Sequence, residues 1–210
     1  MIKILIVDDH SIVRAGMKQI LADIDDIRVA GEAANGVEAL AKVQKQPFDL
    51  VLLDISMPGR SGLDVLKELK NVQPRLPVLM LSMYPEEQYA VRALRSGASG
   101  YLTKESAPDE LISAIRKVCG GGRYVSASLA ENMAFSIDHK SEQPPHELLS
   151  DREYQIMCMI ASGKAVKDIA GELSLSVKTI STYRTRILVK MRMKTNAEVT
   201  RYALQNNLVA

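Results

Sequence analysis

Between Met1 and about Gly122 the chain alternates short apolar runs with longer stretches whose apolar residues recur every three or four positions. The first pattern fits strands buried on both faces and the second fits amphipathic helices, so the alternation predicts a parallel sheet covered by helices on both sides. Strands are expected over Lys3–Val7, Val29–Glu32, Leu50–Asp54, Val78–Ser82 and Gly100–Thr103. Helices are expected over Ile12–Leu21, Gly36–Gln44, a stretch after Gly62 carrying Leu63, Leu66 and Leu69, Glu86–Ser96 and Pro108–Cys119. Pro47, Pro77, Pro85, Gly97 and the run Gly120-Gly121-Gly122 punctuate them. Five strands and five helices make an α/β domain with a doubly wound parallel sheet over residues 1–122.

The pattern then changes. Ser126–Ile137 reads as one more helix, and Asp138–Glu147 is polar and contains Pro144-Pro145, so residues 123–147 read as a connecting helix and a linker. Residues 148–210 show only the helical period and form a second, smaller all-α domain. Ser150 followed three positions on by Glu153 is a capping box opening a helix that buries Ile156, Met159 and Ile160. Ala165–Leu173, a tight Ser174-Leu175-Ser176 turn, Val177–Met191 and Ala197–Asn206 complete the bundle. Ile180, Tyr183, Ile187 and Met191 fall on one face of the third helix.

Charge separates the segments. The 210-residue chain carries a net +2, but residues 1–122 carry −1, residues 123–147 carry −2 and residues 148–210 carry +5. Only the last segment suits a polyanion. Cys119 and Cys158 lie far apart without metal-ligand spacing, which excludes a disulfide framework and a zinc site and predicts two small buried side chains. The apolar run Ile4–Val7 is too short for a signal peptide or a membrane span, so a cytoplasmic protein without membrane contact is expected.

The chemistry centres on Asp54, a carboxylate at the end of an apolar strand and before a Pro/Gly turn. Ligands collect at the carboxyl ends of strands in such sheets. Asp8 and Asp9 end the first strand and converge there. Like charges so crowded call for a cation, and Mg²⁺ is the hard cation that takes few carboxylates plus phosphate oxygens. Ser82 ends the fourth strand with a hydroxyl, and Lys104 follows the fifth with a movable ammonium. Together these groups describe a site for a phosphoryl group on Asp54. A Mg²⁺-dependent hydrolase with a nucleophilic Asp is the alternative; those enzymes usually carry a second Asp two residues on, where this chain has Ser56. His10 reads as a loop histidine.

Asp8-Asp9, Asp54 with Met57-Pro58 and Gly62, Ser82, Tyr101 and Lys104 resemble the signature of a two-component receiver domain, and the helical segment resembles the LuxR-type helix-turn-helix. The whole chain is similar to response regulators of the NarL/FixJ subfamily. That resemblance implies a flavodoxin-like receiver and a phosphorylation-controlled transcriptional regulator. It also implies no enzymatic activity beyond self-dephosphorylation. Asp54 would accept the phosphoryl group from a sensor histidine kinase. Asp9, Asp54 and the carbonyl of Ser56 would bind Mg²⁺, with Asp8 acting through water. Ser82 and Lys104 would grip the phosphoryl oxygens, and Tyr101 would be the rotameric switch. Glu105 stands where many receivers have proline.

Between Leu173 and Ala197 the chain has Lys178, Arg184, Arg186, Lys190, Arg192 and Lys194 and no acidic residue. One-signed charge on the second helix of a helix-turn-helix favours phosphate contact with double-stranded promoter DNA. Ser181, Thr182 and Thr185 are expected at base edges; the resemblance implies the same three, with Lys178, Thr179, Arg184 and Arg186 mainly on phosphates and Lys190 also among the DNA-binding residues. Tyr183 stands where the family often has histidine. Ala197–Leu204 resembles the dimerising fourth helix, which implies a homodimer on DNA, with RNA polymerase as a further partner to consider. A protein-interaction module whose basic helix meets such a partner, without binding DNA, is the remaining alternative.

Overall fold

The computed structural model describes residues 1–126, 129–131 and 144–209. The chain divides into two compact units, Met1–Glu131 and Asn132–Ala210. In the first unit the order is β1 (Ile2–Val7), α1 (Ser11–Ala22), β2 (Ile27–Ala33), α2 (Gly36–Lys45), β3 (Leu50–Asp54), α3 (Gly62–Val72), β4 (Val78–Ser82), α4 (Glu86–Arg95), β5 (Gly100–Thr103) and α5 (Pro108–Cys119). The five strands form one parallel sheet in the order β2-β1-β3-β4-β5. This is the expected α/β architecture, with β4, β5 and α5 at the expected residues.

β3 and β4 are buried along their whole length. Alternate residues explain how apolar runs serve both faces. Ile4, Ile6, Leu50, Leu52, Leu79, Leu81 and Leu102 pack with Met17 and Leu21 of α1 and with Leu111, Ile115 and Val118 of α5. Leu5, Val7, Val51, Leu53 and Met80 point to the other side and are equally buried. β2 begins at Ile27, two residues earlier than its pattern suggests, because Ile27 and Arg28 pair with Ile2 and Lys3. Every peptide bond in the described residues is trans, Lys104–Glu105 included.

The boundary region differs from a free linker at both ends. Tyr124 pairs in parallel with Gly100, its N–H donating to the Ser99 carbonyl (2.9 Å), and its hydroxyl donates to Glu110 (2.8 Å). Ser126 donates to Glu86. The residues just after α5 thus close the open edge of β5, where a Cβ at position 100 would meet the Tyr124 carbonyl at 2.7 Å. Of the helix expected over Ser126–Ile137, residues 129–131 are helical. Ser126 is described and lies outside the helix, while residues 127–128 and 132–137, with linker residues 138–143, lie outside the described residues. Pro145–Leu148 forms a 3₁₀ turn, and His146 Nδ1 lies 2.8 Å from the Tyr202 hydroxyl.

The second unit contains α6 (Asp151–Ala161), α7 (Val166–Glu172), α8 (Val177–Lys190) and α9 (Asn196–Gln205). The capping box forms, with the Glu153 N–H donating to Ser150 Oγ and the Ser150 N–H donating to Glu153. Cys158 is buried, while Cys119 is only half-buried, and both are free thiols. No helix among the described residues is long and apolar enough to cross a membrane. Because the Ser150 hydroxyl satisfies an otherwise orphaned helix N–H, Ser150→Ala should cost the C-terminal unit about 1 kcal/mol. A urea melt followed by helical circular dichroism checks this, and an unchanged midpoint would refute it.

Candidate functional site

The topology reverses between β1 and β3, which places a crevice at their carboxyl ends. Asp8 and Asp9 leave β1 there and Asp54 ends β3. Asp8 and Asp54 are both buried. Lys104, directly after β5, is buried as well, and its Nζ lies 2.7 Å from Asp8 Oδ2 and 3.0 Å from Asp54 Oδ2. The Lys104 backbone is fixed by its N–H donating to the Ser82 carbonyl (2.7 Å). The loop after Asp54 folds back so closely that a Cβ on Gly62 would meet the Asp54 carbonyl oxygen at 1.9 Å. Only glycine fits this approach.

One ammonium does not neutralise the cluster. Burial raises the Asp54 pKa above its ordinary 3.8; Lys104 opposes that rise and the Asp8 carboxylate adds to it. Burial alone would lower the Lys104 pKa, but the Asp54 and Asp8 carboxylates outweigh it and hold the ammonium above its ordinary range. Asp54 Oδ1 is buried and accepts no hydrogen bond among the described residues, and neither does Asp9 Oδ1. Buried carboxylate oxygens without donors fit a cation. His10, read as a loop residue, stands against this cluster: its Nδ1 lies 3.2 Å from Asp8 Oδ1 and 3.2 Å from Asp9 Oδ1. Adjacency to the acidic pair was the only signal for it in the sequence.

Ser82 and Tyr101 are linked through one peptide. Ser82 Oγ accepts the Tyr84 N–H (3.0 Å), and the buried Tyr101 donates its hydroxyl to the Tyr84 carbonyl (2.9 Å). A shift of the Ser82 hydroxyl therefore bears on the Tyr101 ring. Ser56 follows Asp54 by two residues, and its hydroxyl oxygen is buried without a hydrogen bond among the described residues.

On α8 the expected contact residues divide. Lys178, Arg184 and Arg186 are exposed and form no ion pair among the described residues, as do Arg192 and Lys194 beyond the helix. Ser181, Thr182 and Thr185 are exposed on the same helix, but Thr182 donates its hydroxyl to the Lys178 carbonyl (3.0 Å) and Thr185 to the Ser181 carbonyl (3.1 Å). Thr179 is half-buried and held by Ser176, the N-cap of α8. Lys190 is exposed as well, and its Nζ pairs with the buried Glu153 carboxylate at 2.6 Å. Tyr183 departs from the core face formed by Ile180, Ile187 and Met191. It is half-buried and lines a concavity with Lys178, Thr182 and Arg186, the Arg186 guanidinium lying 5.9 Å from its ring centre.

Residues 4–116 match the response regulator receiver domain, and residues 147–203 match the bacterial regulatory proteins of the luxR family. Response regulator UvrY of Escherichia coli K12 is 40% identical over 209 residues, covering 99% of this chain and 96% of that protein. Response regulator GacA of Pseudomonas protegens is 39% identical over 209 residues, covering 100% and 98%. Among solved structures, RcsB from Salmonella enterica serovar Typhimurium, bound to promoter rprA in the presence of phosphomimetic BeF3⁻, is 25% identical with a TM-score of 0.65. That likeness covers 96% of this chain and 98% of RcsB.

The charge imbalance at Asp54 has a measurable consequence for stability. A carboxyl whose folded pKa is raised binds its proton more tightly in the native state, so ionising it costs stability as pH rises from 3.8 through the folded value. In metal-free buffer at neutral pH, Asp54→Asn should therefore unfold at higher urea than the wild type, with the gap closing in acid. Lys104→Met should lose about 3 kcal/mol, since it leaves two buried carboxylates without their ammonium. Urea melts across pH check both signs.

Proposed function

The chain belongs to the response regulators that join a receiver domain to a LuxR-family helix-turn-helix, and from that premise we propose that Asp54 is the phosphoacceptor whose charge governs DNA binding by the C-terminal unit. The observation carrying this reading is the buried Asp54 carboxylate at the carboxyl end of β3, its Oδ2 held 3.0 Å from the Lys104 ammonium. An Asp54 oxygen attacks the phosphorus of a histidine kinase's phosphohistidine; a P–O bond forms as the P–N bond breaks, and imidazole leaves. Asp9, Asp54 and the Ser56 carbonyl would hold Mg²⁺, with Asp8 acting through water. Bound Mg²⁺ supplies positive charge that offsets the crowded carboxylates and the phosphoryl oxygens.

The chain's own groups do the rest. Lys104, shared by Asp8 and Asp54, turns its ammonium to a phosphoryl oxygen. The Ser82 hydroxyl gives up the Tyr84 N–H to donate to another. The Tyr84 peptide then passes the change to Tyr101. The protein turns over no substrate other than its own acyl phosphate. The polar, proline-containing sequence between the two units supports release of the recognition helix on phosphorylation, followed by dimerisation on promoter DNA. RNA polymerase is the protein such a dimer would recruit. A histidine kinase and promoter DNA as partners put this work in the cytoplasm.

On DNA, α8 enters the major groove, with Lys178, Arg184 and Arg186 on phosphates and Ser181, Thr182 and Thr185 at base edges. Thr179 supports the start of the helix, and Lys190 contributes through Glu153 more than through DNA.

The deciding experiment measures DNA affinity of the full chain at fixed salt, with and without Mg²⁺ and a small phosphodonor, alongside intact mass. Wild type should gain a phosphoryl mass and bind more tightly, and Asp54→Asn should do neither. A mass gain without altered binding would overturn the coupling. Arg186→Ala should weaken binding to all sequences and flatten the salt slope by about one, whereas Thr182→Ala should act at particular base pairs. Lys190→Ala should leave the slope nearly intact and lower the urea midpoint instead.

A further inference from the structure

We propose that the chain leaving α5, residues 124–126 with the helical turn at 129–131, is a latch that a phosphoryl group on Asp54 opens, freeing the sequence that leads to the C-terminal unit. The inference deepens the reading of Asp54 as the phosphoacceptor and rests on it. Its ground is where the segment is fastened: to Tyr101 itself and to the helix that begins beside Tyr84.

The Tyr101 N–H donates to the Tyr124 carbonyl (3.3 Å), so the departing chain hangs on the backbone of the expected switch residue. The Tyr124 N–H donates to the Ser99 carbonyl (2.9 Å), and its hydroxyl donates to Glu110 (2.8 Å). Burial and the Glu110 carboxylate push the Tyr124 pKa up to about 12, which keeps that hydroxyl a donor at neutral pH. Ser126 holds the far side. Its Oγ donates to Glu86 and accepts the Leu129 N–H (3.1 Å), while its carbonyl accepts the Ala130 N–H (3.1 Å). One hydroxyl thus ties the start of the helical turn, with its buried Leu129, to α4.

Both fastenings lead back to Ser82. Glu86 is the first residue of α4 and Pro85 its N-cap, directly after Tyr84. The Pro85 ring fixes its own φ and leaves little slack between Tyr84 and Glu86. Ser82 Oγ accepts the Tyr84 N–H (3.0 Å), and the Tyr101 hydroxyl donates to the Tyr84 carbonyl (2.9 Å). When Ser82 turns to a phosphoryl oxygen, the Tyr84 peptide loses one of its holds. The displacement then reaches Ser126 through Glu86, and Tyr124 through Tyr101. The latch is also lightly seated, because Glu86, Glu110 and Ser126, with Pro85, Thr103 and Ser106, surround a concavity of about 330 Å³. A segment held by hydrogen bonds beside such a gap opens at lower free energy than a packed core element.

The test is hydrogen exchange of the full chain, read by mass spectrometry on peptides covering residues 122–131, with and without Mg²⁺ and acetyl phosphate. Intact mass is recorded alongside. Wild type should gain a phosphoryl mass and exchange these amides about tenfold faster or more, and Asp54→Asn should do neither. Ser126→Ala should exchange them fast without any phosphodonor. By reciprocity it should also bind the phosphomimetic BeF3⁻, with Mg²⁺ present, about fivefold more tightly than wild type. A strap with only a structural part would leave that affinity unchanged. A mass gain with unaltered exchange over 122–131, or an unaltered BeF3⁻ affinity in Ser126→Ala, would overturn the latch and leave the Asp54 reading standing. No mass gain in wild type would overturn the Asp54 reading, and the latch with it, since nothing would then open it.

Discussion

The ion cluster of Lys104, Asp8 and Asp54 is the interaction on which the receiver unit depends, because it confines more negative than positive charge where water is scarce. Burying ions is costly unless each finds a partner, and here one ammonium serves two carboxylates with Asp9 beside them. The surrounding structure is what prevents the groups from drifting apart. β1 and β3 are adjacent in the sheet, so their ends cannot separate. Lys104 is pinned through its backbone to Ser82, and Gly62 lets the following loop press on the Asp54 carbonyl. A site this crowded with carboxylates suits a cation, and the phosphoryl group proposed for Asp54 would add further negative charge to it.

Most of this was legible because its signals are local. An apolar run ended by a charge, as in Leu50–Asp54, or by prolines, as around Val78–Ser82, fixes a buried strand from within itself. The Ser150/Glu153 capping box likewise needs only four residues. What was not legible depended on pairing across the chain. Ile27 and Arg28 join a strand because Ile2 and Lys3 lie beside them. Residues after α5 adhere to the first unit because β5 would otherwise be an open edge, and nothing in the sequence around Tyr124 announces that.

His10 and Lys190 show the same limit for side chains. Counting charges treats every basic residue on α8 alike, yet Lys190 pairs with Glu153, which caps α6 and lies 37 residues earlier in the chain. Burial raises the Glu153 pKa, but Lys190 and the Ser150 cap overcome this and hold it below the ordinary carboxylate value. That carboxylate serves its own helix and α8 at once. Tyr183 was assigned to the core by helical period, yet a ring with a polar tip can stand half-exposed and stack on Arg186.

These pairings bear on how α8 can read DNA. The Thr182 and Thr185 hydroxyls each donate to a carbonyl one turn back, which leaves their oxygens as acceptors only. In the major groove an acceptor can meet the amino groups of adenine or cytosine, but not the acceptors of guanine or thymine. Reading the latter pair requires breaking a hydrogen bond worth about 1 kcal/mol. Two such hydroxyls discriminate weakly beside a bidentate arginine–guanine contact. On the docking proposed for α8, affinity would come mainly from Lys178, Arg184 and Arg186 on phosphates, and specificity would lean on groove shape and on the spacing of two bound copies.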